Sequence, residues 1–427
     1  MLGRSDTPRL DNSPARVLMA SLVGTTIEFF DFYIFATAAV LVFPQLFFSS
    51  SDPTTAVLQS FATFAIAFFA RPLGAALFGH FGDRVGRKAT LVASLMTMGL
   101  STVAVGLLPS YASIGVAAPL LLALCRCGQG LGLGGEWGGA VLLATENAPP
   151  HRRSWYAMFP QLGAPLGFVL SAGFFLALTE TMGNADFLAW GWRLPFLASI
   201  LLVIIGLYVR LSIAETPAFQ RAIEAQERVA VPVAVLLAEH KRGLLLGVGA
   251  ALATFVLFYL MTVFALSWAT TELGYPREQF LRLQLVGVAC FAATIPLSAL
   301  LSDRYGRRLV LVLATVATGL FGLLLQPLLE AGLAGAIAFN ILGLALMGFN
   351  YGPIGAALAS PFPVAVRYTG ASMAFNLAGI FGASLAPYIA TWLARHYSLA
   401  WVGYYLLAAS ALTAAALLSS RRSEFSS

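Results

Sequence analysis

The stretch "GHFGDRVGRK", residues 79–88, closes the second of a series of long apolar segments, and "ALLSDRYGRR", residues 299–308, closes the eighth. Asp83 and Asp303 stand 220 residues apart, each opening the pattern D-R-x-G-R-[KR]. The same turn at matching places in two halves marks an internal repeat. Gly86 and Gly306 allow the backbone to reverse through positive φ, and the basic residues hold the turn on one side of whatever the apolar segments cross.

Those segments cross a membrane. The 427 residues are 59% apolar and only 10% charged, with a mean hydropathy of +0.82, far outside the range of an ordinary soluble domain. A bilayer core of about 30 Å needs about 20 apolar residues of helix. Spans of that kind fall at 17–43, 56–80, 89–108, 116–145, 155–178, 188–211, 243–270, 281–301, 309–329, 333–359, 369–393 and 399–419. They are too long for barrel strands and show no period of two. The expectation is an all-α membrane protein of twelve transmembrane helices in two six-helix, pseudo-symmetric halves. Residues 1–211 form the first half and 243–427 the second, with a short tail. The polar stretch 212–242 links them, with short helices expected from Pro217, a favoured first-turn residue.

Lys and Arg concentrate in the N-terminal segment, the two repeated turns, the midpoint linker and the C-terminal tail, which predicts that both termini are cytoplasmic. The net charge of +6 follows from this asymmetry and gives no reason to expect nucleic acid as a partner. Cys125 and Cys127, two apart on a helix, point to different sides, so no metal site is expected. The sequence has no phosphate-binding G-x-x-x-x-G-K-[ST] loop and no Ser/His/Asp grouping. Neither an enzyme nor a bound cofactor is expected.

Charges inside the spans are the informative residues, because each costs about 2.5–3.5 kcal/mol or more in the bilayer. Glu28 and Asp31 lie three apart, on one face of span 1. Arg71 in span 2 and Arg126 in span 4 are the buried cations, and Glu28 or Glu136 is the expected neighbour of Arg71. Counting about 1.5 Å per residue, Asp31 and Arg126 reach the same level. The second half offers neutral candidates at that depth: Tyr259, Asn350, Tyr351 and Asn376. The aromatic cluster Phe29, Phe30, Phe32 and Tyr33 reads as lipid-facing or as packing filler.

The repeated turns resemble the hallmark loop of major facilitator transporters. With "GTTIEFFDFYIF" (24–35), "FFARPLGAALFGHFGDRVGRK" (68–88), "RCGQGLGLGGEWGGAVLLATENAP" (126–149) and "AETPAFQ" (214–220), nearly the whole chain is similar to the metabolite:proton symporter family. That family includes bacterial permeases for shikimate, α-ketoglutarate, citrate, dicarboxylates and proline or betaine, and span 1 is most similar to the shikimate type. The resemblance implies proton-coupled import of a small organic anion, most simply a carboxylate, by a multi-pass monomer of the inner membrane. A zwitterion such as proline or betaine is the alternative substrate, and proton-linked efflux the alternative direction, since "GAPLG" (163–167) partly resembles an antiporter pattern.

The site residues follow from the same resemblance. Arg126, Gln129 and Gly130 are similar to the R-x-x-Q-G element of proton-coupled facilitators, whose arginine pairs with an acid on the first helix. The implied coupling group is Asp31 with Arg126, assisted by Glu28. Substrate would meet Arg126, Arg71, Gln129, Tyr259, Asn350, Tyr351 and Asn376. The implied cytoplasmic gate is built from Asp83, Arg84, Gly86 and Arg87 and from Asp303, Arg304, Gly306 and Arg307. Asp83 would sit at the start of span 11 and Asp303 at the start of span 5, where a helix N-terminus favours an anion. Glu146 and Glu215 would join the arginines of the gate.

Overall fold

The computed structural model describes residues 14–48, 52–85, 87–212, 232–363 and 366–420, apart from the side chains of residues 79–91, 143, 146, 150, 210, 212 and 232. Among the described residues the regular structure is entirely helical. The spans are α1 (Pro14–Leu41), α2 (Pro53–Val85), α3 (Arg87–Leu107), α4 (Ala117–Leu133, resumed as Glu136–Glu146), α5 (Arg153–Thr181) and α6 (Leu194–Ser212). The second half repeats the set: α7 (Lys241–Tyr259, continued to Thr271), α8 (Arg277–Tyr305), α9 (Arg307–Glu330), α10 (Gly332–Ala359), α11 (Arg367–Gly379, continued to His396) and α12 (Leu399–Ser419). Helices are the required answer, since lipid offers no partner to a free backbone amide or carbonyl.

Three spans are less regular than the sequence suggests. α4 breaks at Gly134 and Gly135, while α7 and α11 each widen into a π-helical turn, at Leu260–Phe264 and Ile380–Ser384. A π turn leaves carbonyls without their usual i+4 donors. In α7 the Gln284 amide of α8 donates to two of them, Met261 O at 3.0 Å and Thr262 O at 2.7 Å. A short helix, Pro232–Glu239, leads into α7; the helix expected from Pro217 lies outside the described residues.

Small residues set the helix spacing, as membrane packing demands. A Cβ on Gly130 would stand 2.3 Å from Ala67 O, and one on Gly134 2.0 Å from Arg71 O, so α4 rests directly on the backbone of α2. Gly163 and Gly167 sit equally close to Thr25 and Phe29 of α1. The glycines of "GAPLG" are therefore the α1–α5 contact.

The halves meet along a seam where α5 lies against α8 and α10, α2 against α11, and α1 against the outer part of α7. The face where α1 begins and α12 ends is called the terminal face below. There Arg242 and Arg308 donate to the last carbonyls of α12, Ser419 O at 3.3 Å and Leu418 O at 2.6 Å, cations placed where the helix dipole favours them. Gly306 has φ of 94°, the left-handed backbone expected of the turn between α8 and α9.

The close approach at Gly130 makes a simple test. Gly130→Ala must displace backbone, while nothing lies within 4 Å of the corresponding position at Gly173. Gly130→Ala is expected to lower the melting temperature of the purified protein, corresponding to a loss of about 1–3 kcal/mol, and Gly173→Ala to leave it within error.

Candidate functional site: a cavity on the seam

Midway along the seam is a cavity of ≈ 20 Å³, enough for about one water. Phe29 and Tyr33 of α1, Arg71 of α2 and Ala164 of α5 line it from one half. Ala251, Thr254, Phe255, Phe258 and Tyr259 of α7, Met347, Tyr351 and Ile354 of α10, and Phe375 of α11 line it from the other. Arg71 is the only charged side chain among these. Its guanidinium packs against the rings of Phe32 and Phe68, 4.6 and 4.8 Å from their centroids. Glu28, Tyr33, Tyr259 and Tyr351 lie within its electrostatic reach. Buried cation–π contacts contribute about 2 kcal/mol each, which offsets part of the cost of the charge.

Behind Phe32 is a second guanidinium. Arg126, fully buried, packs on Phe32, Phe35 and Phe64 at 4.4, 4.2 and 4.7 Å. It donates through Nη1 to Gln129 Oε1 at 2.9 Å and through Nε to Phe64 O at 3.2 Å. Asp31 does not meet it. The Asp31 carboxylate accepts from the Ser199 hydroxyl of α6 and faces Thr102 of α3. The expected Asp31–Arg126 ion pair is not formed; instead a relay runs from Arg126 through Gln129, whose Nε2 donates to Thr102 Oγ1 at 2.8 Å, to Met98 O, which accepts the Thr102 hydroxyl at 3.0 Å. The second Asp31 oxygen and Arg126 Nη2 have no hydrogen-bond partner among the described residues.

The seam is closed at both ends. On the terminal face the Asp303 carboxylate accepts the backbone N–H groups of Ser154 and Trp155, both at 3.0 Å, at the first turn of α5. Arg307 anchors the turn between α8 and α9 within the second half, donating to Ala356 O at 2.9 Å and Ser360 Oγ at 3.0 Å near the end of α10. Deeper in, carbonyls at the break in α4 accept from the other half: Asn376 Nδ2 donates to Gly134 O at 3.0 Å, and the Tyr368 hydroxyl donates to Gly135 O. Gln161 of α5 accepts from Trp137 Nε1 at 2.9 Å and donates to Tyr351 O at 3.0 Å. Trp137 and Phe375 stack with centroids 3.7 Å apart. On the opposite face Arg282 of α8 pairs with Glu180 of α5, and Arg277 lies 4.8 Å from the Phe187 ring.

A chain of this shape has known counterparts. The sequence model described as "Sugar (and other) transporter" matches residues 16–231. The inner membrane metabolite transport protein YhjE of Escherichia coli (strain K12) is 56% identical, over 95% of this chain and 94% of that protein. The chain belongs to the sugar (and other) transporter family, within the major facilitator superfamily. The shikimate transporter of the same organism is 36% identical over 98% of both chains. Among solved structures, a D-xylose–proton symporter superposes with a TM-score of 0.72 at 18% identity, over 95% of this chain and 96% of that one. The protein is thus a multi-pass membrane transporter of the metabolite-transporting kind, and not an enzyme.

In this transporter the sequence candidates separate. Arg71, Tyr259 and Tyr351 line the cavity. Arg126 and Gln129 lie in the relay behind it, and Asn376 belongs to the terminal-face contact. Asn350 faces α9, donating to Thr318 Oγ1 at 3.0 Å and accepting from Thr315 at 3.3 Å. In the aromatic cluster the lipid-facing reading is corrected and the packing reading holds for Phe30, Phe32 and Tyr33, which are buried, while Phe29 and Tyr33 also line the cavity. Arg304 is exposed on Tyr305. Gly86, Glu215 and the side chains of Asp83, Arg84, Arg87 and Glu146 lie outside the described residues. Thr102, Ser199, Gln161 and Tyr368 are not singled out by sequence; for the hydroxyls, nothing in the pattern separates a site residue from ordinary interhelical contact.

Removing the Asp303 carboxylate deletes two charge-assisted bonds, each contributing about 1.5–3 kcal/mol. Asp303→Ala is expected to open the terminal face. In a protein whose three native cysteines are replaced by serine, a cysteine at Ser372, buried against Gly138 in the seam, should react with maleimide about tenfold faster after the substitution.

Proposed function

We propose that the protein is a proton-coupled secondary active transporter that imports a small carboxylate metabolite by alternating access, as a monomer, with the terminal face cytoplasmic. The observation that carries this reading is Arg71: a guanidinium on a cavity between the two halves, supported by ring faces. Its planar fork suits a carboxylate. The positive-inside bias supports the orientation, and the family supports transport. Contacts between the halves at both ends of the seam support alternating access, in which rocking of the halves would expose the cavity to one side or the other.

Asp31 is the proposed proton carrier. Its carboxylate is 1% exposed, so carrying a charge there is costly and uptake of a proton removes the cost. Protonation turns one carboxylate oxygen from acceptor to donor, which reorders the Ser199–Asp31–Thr102 contacts. Through Gln129 the change reaches Arg126, and through the Phe32 ring shared by both guanidiniums it reaches Arg71. Binding of the substrate anion at Arg71 and binding of the proton at Asp31 then stabilise the same arrangement, which is the thermodynamic content of symport. Glu28, on the same face of α1 and within reach of Arg71, is the second proposed proton site. On the terminal face Asp303, Arg307, Asn376 and Tyr368 are the proposed gate.

In proteoliposomes with an imposed pH gradient, Asp31→Asn is expected to abolish uphill accumulation while leaving substrate exchange within about threefold of wild type, since the amide imitates the protonated acid. Wild-type accumulation by this variant would remove Asp31 from the coupling step. Arg71→Lys is expected to weaken binding about tenfold or more, because a point charge lacks the fork.

A further inference from the structure

On the terminal side of the cavity lies a layer built from both halves. α5 enters from the terminal face at Arg153 and reaches Gln161 about one turn before the cavity residue Ala164. α11 enters at Arg367 and passes Tyr368 and Ser372 before it reaches Phe375, which lines the cavity. Trp137, on the resumed part of α4, is buried and lies flat on Phe375, with centroids 3.7 Å apart and an interplanar angle of 10°. Its Nε1 donates to Gln161 Oε1 at 2.9 Å, and Gln161 Nε2 donates at 3.0 Å to the carbonyl of Tyr351, a second cavity residue. Indole and amide thus hold each other, and each also holds one lining residue of the opposite half. We propose that Trp137 is the inner barrier of the seam, the side chain that closes the cavity toward the terminal face, and that Gln161 is the positioning residue that keeps it there. The proposal rests on the alternating-access reading given above and names where one of its two closures stands.

Beyond this layer, toward the terminal face, small groups make the contacts between the halves. Ser372 stands against Gly138, Val141 against Gly355, and Leu142 gathers with Ala359 and Ala371. Small residues let helices approach closely, but they obstruct little once the helices part. Trp137 is the largest side chain of the series. Its ring is covered by Phe375, and its one polar atom has a partner, so the indole is buried without an unpaired N–H. The amide of Gln161 serves both neighbours in one orientation only, donating to Tyr351 O while accepting from the indole. The position of the indole is therefore set by the backbone of the opposite half. The cavity of ≈ 20 Å³ holds about one water, so a larger ligand has to displace lining side chains. Displacement of Phe375 acts directly on Trp137, and displacement of Tyr351 acts on it through Gln161.

Sided labelling of a cavity thiol tests this without a ligand. In the full-length protein with its native cysteines replaced by serine, Thr254→Cys places a thiol in the lining, and a membrane-impermeant, negatively charged methanethiosulfonate reports which side reaches it. On the orientation proposed above, inside-out vesicles present the terminal face to the reagent and right-side-out vesicles the other face. Trp137→Ala is expected to raise the labelling rate in inside-out vesicles at least about tenfold and to leave it within about twofold in right-side-out vesicles. Trp137→Phe keeps a stacked ring and is expected to stay within about threefold of the parent. Gln161→Met removes both bonds of the amide and should give a rise of about fivefold in inside-out vesicles; it carries the test where Trp137→Ala does not fold. No rise, or an equal rise from both sides, overturns the barrier while leaving alternating access standing. A rise confined to right-side-out vesicles keeps the barrier and overturns the proposed orientation.

Discussion

A guanidinium cannot be left alone in a hydrocarbon interior, and the first half of this transporter is organised around that constraint. Two such groups are buried within reach of one phenyl ring. Phe32 meets Arg71 on the cavity side and Arg126 on the other, and Phe35, Phe64 and Phe68 complete the surroundings. Ring faces stabilise the cations without neutralising them. Arg71 therefore reaches the cavity held by ring faces, with no salt bridge among the described residues and with Glu28 within its electrostatic reach. An ion pair in the same location would be as well ordered and far less available to a ligand.

The fold was legible because the quantities that determine it are one-dimensional. Length and hydropathy locate a span, and the repeated D-R-x-G-R turn relates the halves. Depth within the membrane was legible for the same reason, and Asp31 and Arg126 do belong to one region. Azimuth was not. Asp31 turns toward Ser199 and Thr102 on α6 and α3, and Asn350 toward α9, because a helix rotates about 100° per residue and small errors of phase exchange a cavity for a neighbour. Phe32 and Tyr33 read equally as lipid-facing or as packing, since an aromatic side chain in lipid and one over a guanidinium leave the same trace in a sequence. The irregular turns of α4 and α7 take donors from other helices, Asn376 and Gln284, that no local pattern announces.

The terminal-face contacts share a chemical character. Asp303 binds amides of α5, Asn376 and Tyr368 bind carbonyls of α4, and Gln161 binds the carbonyl of Tyr351. In each, one half offers a side chain and the other offers backbone. Such contacts are specific in direction but individually modest in net free energy, which suits an interface that must form and separate in every cycle. The apolar stack of Trp137 on Phe375 supplies the non-directional remainder.

The break in α4 carries a consequence of its own. Gly134 and Gly135 lie at the break, and their carbonyls accept from Asn376 and Tyr368 of α11. Parting of the halves on this face leaves two backbone oxygens, together with the side chains that served them, to be solvated. Water is thus a stoichiometric participant in that movement, entering as a replacement ligand for the peptide backbone. The equilibrium between the closed and parted forms becomes a function of water activity.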